Sequence, residues 1–284
     1  MSRPYRVLMI GDYITDVYQY GNTIGLANED PVLKFRPFKQ KTSPGGVGFC
    51  ADLMQSFCPP ETEISTVRLS ESTICRFIDD ATKRNLFTIH TERKTIGSPH
   101  ILISKIVREP KADLIYLHLD DLDLCYAVHA LLQRDKIPSL GETCIAADIP
   151  QEMFALPVHY IADYPKDYTN TSHPKKPRIC GITTSSKETS IILPEDRFGW
   201  EHETIINPHI EYPVDTCGAG DALFSCFLAQ LIRYRRLGKK LAKSVAKRLV
   251  TRAQAAAYIL CTRQGTYVPT WQEVVDMDKE LFNG

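Results

Sequence analysis

The chain has 284 residues, 43% of them hydrophobic and 24% charged, which suits one large α/β domain with ample core. Lysine plus arginine and aspartate plus glutamate both number 34, so no global field favours nucleic acid or a membrane surface as partner. Nine scattered cysteines without a C-x-x-C pair argue against a disulfide framework, and the spread of the eight histidines leaves no local zinc pattern.

No apolar run reaches the ~18 residues of a membrane span, and the start of the chain is too weakly apolar for a signal peptide. The expectation is a cytoplasmic protein. Residues 6–10 form a short apolar run ending at Gly11-Asp12, predicted as a central strand that delivers acidic residues at its carboxyl end. Ligands sit at that end in open α/β sheets. Asp12 and Asp16 follow, four residues apart. A carboxylate there can orient sugar hydroxyls by accepting two hydrogen bonds, or it can cap a turn. Residues 32–38 alternate apolar and polar, predicting an edge strand outside the main sheet. Pro44-Gly45-Gly46-Val47-Gly48 breaks the chain before a helical run over 49–57, as a hinge with an anion-friendly helix start or as a plain turn.

Further along, 62–69 reads as a strand, 73–84 as a helix and 86–90 as a short strand. Residues 122–133 carry helical periodicity. Residues 143–147, 158–162 and 178–183 are short apolar stretches between proline-rich breaks, as expected of parallel strands, and 174–177 is a surface loop.

The chain is organised around Asp215-Thr216-Cys217-Gly218-Ala219-Gly220-Asp221 and the apolar run 222–232 behind it. Two glycines allow a tight turn and a close backbone approach to a ligand. The run behind them reads as a buried helix whose first amides and positive dipole end make an anion site. A carboxylate beside such a site repels a phosphate, unless it serves to take a proton from a hydroxyl attacking one. The plainer alternative is a glycine-rich helix cap. Residues 233–252 hold nine lysines and arginines, but Leu237, Leu241, Val245 and Leu249 form an apolar stripe. That pattern predicts a solvated outer helix rather than a nucleic-acid surface.

The heptad D-T-x-G-A-G-D resembles the signature of the ribokinase/PfkB carbohydrate kinases. The opening Gly11-Asp12-Tyr13-Ile14-Thr15-Asp16-Val17-Tyr18-Gln19-Tyr20-Gly21, then Glu29-Asp30-Pro31-Val32 and Pro44-Gly45-Gly46, is similar to the heptose-phosphate kinase branch of that family. The stretch 100–119 with Asp120, Asp121 and Asp123 is similar to that branch's paired strands, and 255–266 to the family's adenine-pocket region. The resemblance implies a single domain over 1–284: a three-layer ribokinase-like fold with a mostly parallel central sheet and a small β lid from segments near 20–40 and 98–119.

It also implies ATP-dependent phosphorylation of a sugar or sugar-phosphate hydroxyl. Asp221 is then the base, and the Gly218, Ala219 and Gly220 amides face the transferred phosphoryl. Asp16, Asp12, Gly45 and Gly46 belong to the sugar site, and Thr183, Thr184, Thr216, Gly218, Gly220, Gln254 and Gly265 to the nucleotide site. Asp215 matches a position that helps hold a monovalent cation such as K⁺. ATP comes with Mg²⁺, because the triphosphate needs a counterion. A homodimer through the lid is implied as well. Phe49 stands where the branch usually carries an amide to the sugar, and no N-x-x-E element lies between Ala162 and Arg178. A relative without turnover, serving as a binding or assembly module, is therefore the alternative.

Overall fold

The computed structural model describes residues 3–28, 31–96, 112–118, 142–146, 160–161, 180–184, 188–194, 200–237 and 243–282. Eleven strands form one sheet: β1 (Tyr5–Leu26), β2 (Leu33–Gly45), β3 (Thr62–Asp79), β4 (Asn85–His90), β5 (Lys94–Thr95), β6 (Leu114–His118), β7 (Glu142–Ala146), β8 (Tyr160–Ile161), β9 (Cys180–Thr184), β10 (Glu188–Pro194) and β11 (Trp200–Ile206). The order along the sheet is β11-β10-β9-β8-β7-β6-β1-β3-β4, with β2 paired to β1 and β5 to β3.

The sheet is mixed, where a mostly parallel one was expected. Strands β3, β1, β6, β7, β8 and β9 run parallel. Antiparallel neighbours flank them at both ends: β2, β4 and β5 on one side, β10 and β11 on the other. Val7, Met9, Leu114 and Tyr116 point into the large helix-covered core. On the opposite face Leu8, Ile10, Ile115 and Leu117 are equally buried. Both faces of the central strands are thus shut off from water, which accounts for their continuous apolar runs.

Strand β1 is far longer than the predicted 6–10 run. Its first half, from Val7 to Gly11, lies between β3 and β6. Beyond Ile14 its other neighbour is β2, and the strand climbs out of the main sheet still paired with β3. Upper β1, β2, upper β3, β4 and β5 therefore make a small cover beyond the central strands. Two expectations fail here. Residues 73–79 are not helical but the upper half of β3, because Ile74, Cys75, Arg76 and Phe77 pair in register with both β1 and β4. Of the segment near 98–119 expected in the lid, the described part, β6, is instead a buried strand of the central sheet. Residues 97–111, the expected helix 122–133, Asp120, Asp121, Asp123 and the loop 174–177 lie outside the described residues.

Four helices are described: α1 (Gly46–Phe57), α2 (Ala219–Arg236), α3 (Lys243–Cys261) and α4 (Trp271–Phe282). Every residue of α2 from Ala222 to Ile232 is buried, as its all-round apolar surface requires. The basic run splits. Arg233 closes α2 by donating to the Phe57 carbonyl (2.7 and 3.0 Å) and lies over the Trp271 ring. In α3, Lys247 and Arg248 face solvent while Leu249 and Val250 pack inward. No helix among the described residues is long and apolar enough to cross a membrane.

Candidate functional site

The site forms where the sheet divides. The last β1–β6 pair is Gly11 with His118, and the first β1–β2 pair is Ile14 with Gly45. Asp12 and Asp16 lie within the strand just beyond this fork, rather than in a loop after it. The N-terminus of α2 closes the gap. Gly218 caps that helix with φ +76°, a left-handed conformation that suits glycine, and a Cβ there would meet the Phe49 ring at 2.5 Å. Phe49, buried in α1, thus sets how close the heptad loop comes to the core.

The heptad is held from within. Asp215 Oδ1 accepts the Cys217 N–H (2.9 Å), a local turn, and its Oδ2 accepts the Gly265 N–H (3.1 Å). This carboxylate, a candidate cation ligand, therefore ties the loop to the end of α3, and each oxygen keeps a lone pair for an ion. The Ala219 N–H makes only a long bond to the Thr216 carbonyl (3.3 Å), which leaves the first turn of α2 able to serve an anion.

Asp221 lies in that first turn, and its Oδ1 is 3.0 Å from His118 Nε2. Burial works against a charged His118, but the neighbouring Cys50 and Asp221, with the hydrogen bond to Asp221, outweigh it and hold its pKa well above the ordinary histidine value. Burial raises the pKa of Cys50, whose Sγ accepts from the Tyr116 hydroxyl (3.4 Å). Sequence reasoning missed His118: it lies inside an apolar strand, and only the pairing of β6 with β1 brings it to the helix.

The two aspartates of β1 are both buried and both ion-paired. Asp16 Oδ1 is 3.0 Å from Arg76 Nη2 of β3, while Asp12 pairs with Arg93 and accepts from Ser70. Burial raises the Asp16 pKa, with Arg76 pulling the other way and Asp215 and Asp221 adding to the rise. The same guanidinium donates to Cys217 Sγ (3.1 Å), so it links the cover to the heptad. Gly45 is needed here, since a Cβ would lie 2.3 Å from Asp16 Oδ2; one on Gly46 would meet the Asp12 carbonyl oxygen at 2.3 Å. The sequence pattern puts Arg76 in a helix and Arg93 at no site, so neither ion pair is legible there.

Two cavities flank the heptad loop. One of about 410 Å³ is lined by Thr216, Ala219, Gly220, Gln254, Ala257 and Tyr258, among others. Gln254 is buried there; its amide donates to Asn207 Oδ1 (2.7 Å), and its Oε1 has no hydrogen-bond partner among the described residues. The other, of about 210 Å³, lies under the cover against Arg76, Lys83, Asn85, Asp215, Thr216 and Cys217. Thr216 borders both. Gly265 lines neither; its N–H is given to Asp215. Thr183 and Thr184 form the end of β9, where they were expected to follow a strand.

No protein family is matched by the sequence, and no curated protein matches it. Solved structures do match in fold. A ribokinase from Giardia lamblia superposes with a TM-score of 0.69 at 14% identity, covering 98% of this chain and 99% of that one. The phosphofructokinase-2 from Escherichia coli in complex with potassium gives 0.70 at 11%, over 98% and 99%. A ribokinase from Arabidopsis thaliana complexed with ribose and ATP gives 0.57 at 12%, over 98% and 99%. The fold is ribokinase-like.

Proposed function

We propose that this protein transfers the terminal phosphoryl group of ATP to a hydroxyl of a sugar or sugar phosphate. The observation that carries this reading is the wall between the two cavities: it is the heptad loop, with a glycine-rich helix N-terminus on one side and Asp221 close by. A transferase needs two substrates held apart until one anion-stabilising element faces both.

In this reading the larger cavity takes the nucleotide. Ala257 and Tyr258 flank the base, Gln254 Oε1 offers an acceptor to its amine, and the Ala219 and Gly220 amides on the wall face the phosphates, with the Gly218 amide of the N-cap next to them. Asp221 removes the acceptor's hydroxyl proton as its oxygen attacks the terminal phosphorus, and ADP departs. The helix amides offset charge on the transferring group, usually the largest contribution to such a step. Mg²⁺ bound with ATP would neutralise the leaving diphosphate. The carboxylates of Asp215 and Asp221 are the described oxygen donors beside the loop, and Asp215, with one lone pair left on each oxygen, suits a monovalent cation such as K⁺.

The smaller cavity takes the acceptor. Arg76 and Lys83 on its wall favour a phosphorylated sugar, with a heptose phosphate the nearest template from the sequence. The cover exposes Leu26, Phe38, Phe87 and Ile89, with Val32 just before β2, and burial of this apolar surface between two copies would make a homodimer. The six described cysteines are free thiols, as suits the cytoplasm.

A second reading, a binding or assembly module without turnover, is favoured by one feature: Asp12 and Asp16 are already engaged by Arg93 and Arg76. The two are separated by screening sugars and sugar phosphates for ADP release with Mg-ATP, with Asp221→Asn in parallel. ADP release that depends on acceptor and on Asp221 supports the kinase. Binding of ATP or sugar without release supports the module.

A further inference from the structure

The sequence has no run of residues spaced to ligate zinc, yet the fold assembles a donor set from three distant segments. Cys50 comes from α1, His118 from the end of β6 and Asp221 from the first turn of α2. One ligand atom of each, the Cys50 sulfur, a His118 ring nitrogen and an Asp221 oxygen, all lie within 4.8 Å of one another. Ligands of a tetrahedral zinc stand roughly 3.3–3.8 Å apart, given its ~2.0–2.3 Å bonds. To reach that spacing the His118–Asp221 pair, hydrogen-bonded at 3.0 Å, must open slightly and the wider pairs must close, both movements of side chains alone.

From this geometry we propose that Cys50, His118 and Asp221 form a site for a thiophilic divalent transition ion, Zn²⁺ being the type, with its fourth position open toward the heptad loop.

Four considerations support it. The donors are one sulfur, one nitrogen and one oxygen, a mixture that suits zinc or cobalt and disfavours magnesium or calcium, which take oxygen alone. A thiolate, a carboxylate and a neutral imidazole sum to two negative charges and so neutralise the ion in a largely buried place. Cys50 is fully buried, and the His118 and Asp221 side chains are 11% and 26% exposed, so the cluster opens only on Asp221's side. The Tyr116 hydroxyl, donating to Cys50 Sγ, is an outer contact of the kind that steadies a ligating sulfur. Coordination releases the Cys50 thiol proton and any proton on the ligating imidazole nitrogen, and no electron transfer is involved.

The consequence for activity rests on the kinase reading above. An ion on Asp221 withholds that carboxylate from the acceptor hydroxyl, so zinc inhibits, and acceptor and zinc compete for one oxygen.

The test is titration of the whole protein with Co²⁺, followed by displacement with Zn²⁺. One equivalent is expected to give the visible bands of tetrahedral cobalt and a sulfur-to-cobalt band in the near ultraviolet. Cys50→Ser is expected to remove the sulfur band. His118→Gln is expected to weaken zinc binding at least ~10²-fold, above the loss typical of outer contacts. Thermal melts establish that each variant is folded, and His118→Gln decides the matter if Cys50→Ser does not fold. A missing sulfur band at one equivalent, or one that survives in Cys50→Ser, overturns the site. These readouts need no turnover, so failure of the kinase reading leaves them intact. If an acceptor is found, Cys50→Ser is expected to turn over as the parent does without zinc and to lose zinc inhibition. Equal inhibition of both proteins would overturn the regulatory consequence.

Discussion

The Arg76 guanidinium lies 3.0 Å from the Asp16 carboxylate and 3.1 Å from the Cys217 sulfur, bridging the cover and the heptad loop. Removing one partner strands the other in a buried place, which typically costs about 3–5 kcal/mol, while removing both leaves only a packing defect. The double variant is expected to lose less stability than the sum of the losses of Asp16→Asn and Arg76→Met taken singly. Urea melts of the four-member cycle check this, and simple additivity would show the pair to be energetically independent.

Asp221→Asn is expected to leave the fold and ATP affinity nearly unchanged, because asparagine has the same shape and the anion site is backbone. Turnover should fall ~10²-fold or more, in kcat rather than KM. If Asp221 serves only to pair with His118 at the first turn of α2, the substitution costs stability alone and activity persists. Steady-state kinetics with thermal melts separate these outcomes.

Gly220 and Gly218 are expected to respond oppositely. A Cβ on Gly220 meets nothing within 4 Å, and the residue lines the larger cavity. Gly220→Val should fold and lose ATP binding in calorimetry. Gly218→Val, strained at φ +76° and forced against Phe49, should destabilise the protein itself by at least ~1 kcal/mol. Equal ATP affinity for Gly220→Val and the parent would remove that cavity as the nucleotide site.

Alkaline pH is expected to destabilise the fold through buried thiols. Burial pushes Cys58 up to about 12, against the pull of Arg233, and raises Cys226 strongly. The unfolded chain ionises first, so stability is full below about pH 9 and falls as pH rises toward about 12, at ~1.4 kcal/mol per pH unit for each thiol. Urea unfolding from neutral pH to about pH 10.5 measures the slope, which Cys58→Ala should reduce.

The reading of the sequence held for the buried helical run 222–232, whose all-round apolar composition is a local signal. It failed over residues 73–79, where Thr73, Ile74, Cys75, Arg76 and Phe77 have no clear period and two-sided pairing decides for strand. It also misplaced residues 112–118, whose apolar run fits a lid strand as well as a central one until its partners are known. The ion pairs at Asp12 and Asp16 join residues 60 or more apart in sequence, and no local pattern could announce them.

Strands β1 and β3 stay paired from Tyr5–Thr62 through Gly21–Asp79, with their only register slip between Gly11 and Asp12. The cover is thus not a flap on a flexible tether but the far arm of a lever whose near arm is the central sheet. A ribbon so bonded bends most readily at its slip, and that fulcrum is adjacent to Asp12. Asp16 and Arg76 ride beyond it, while His118 and Asp221 stay with the near arm. Any flexing of the cover therefore changes the gap between those two sets directly, so pressure on its outer face is felt at Asp221 without passing through a loop.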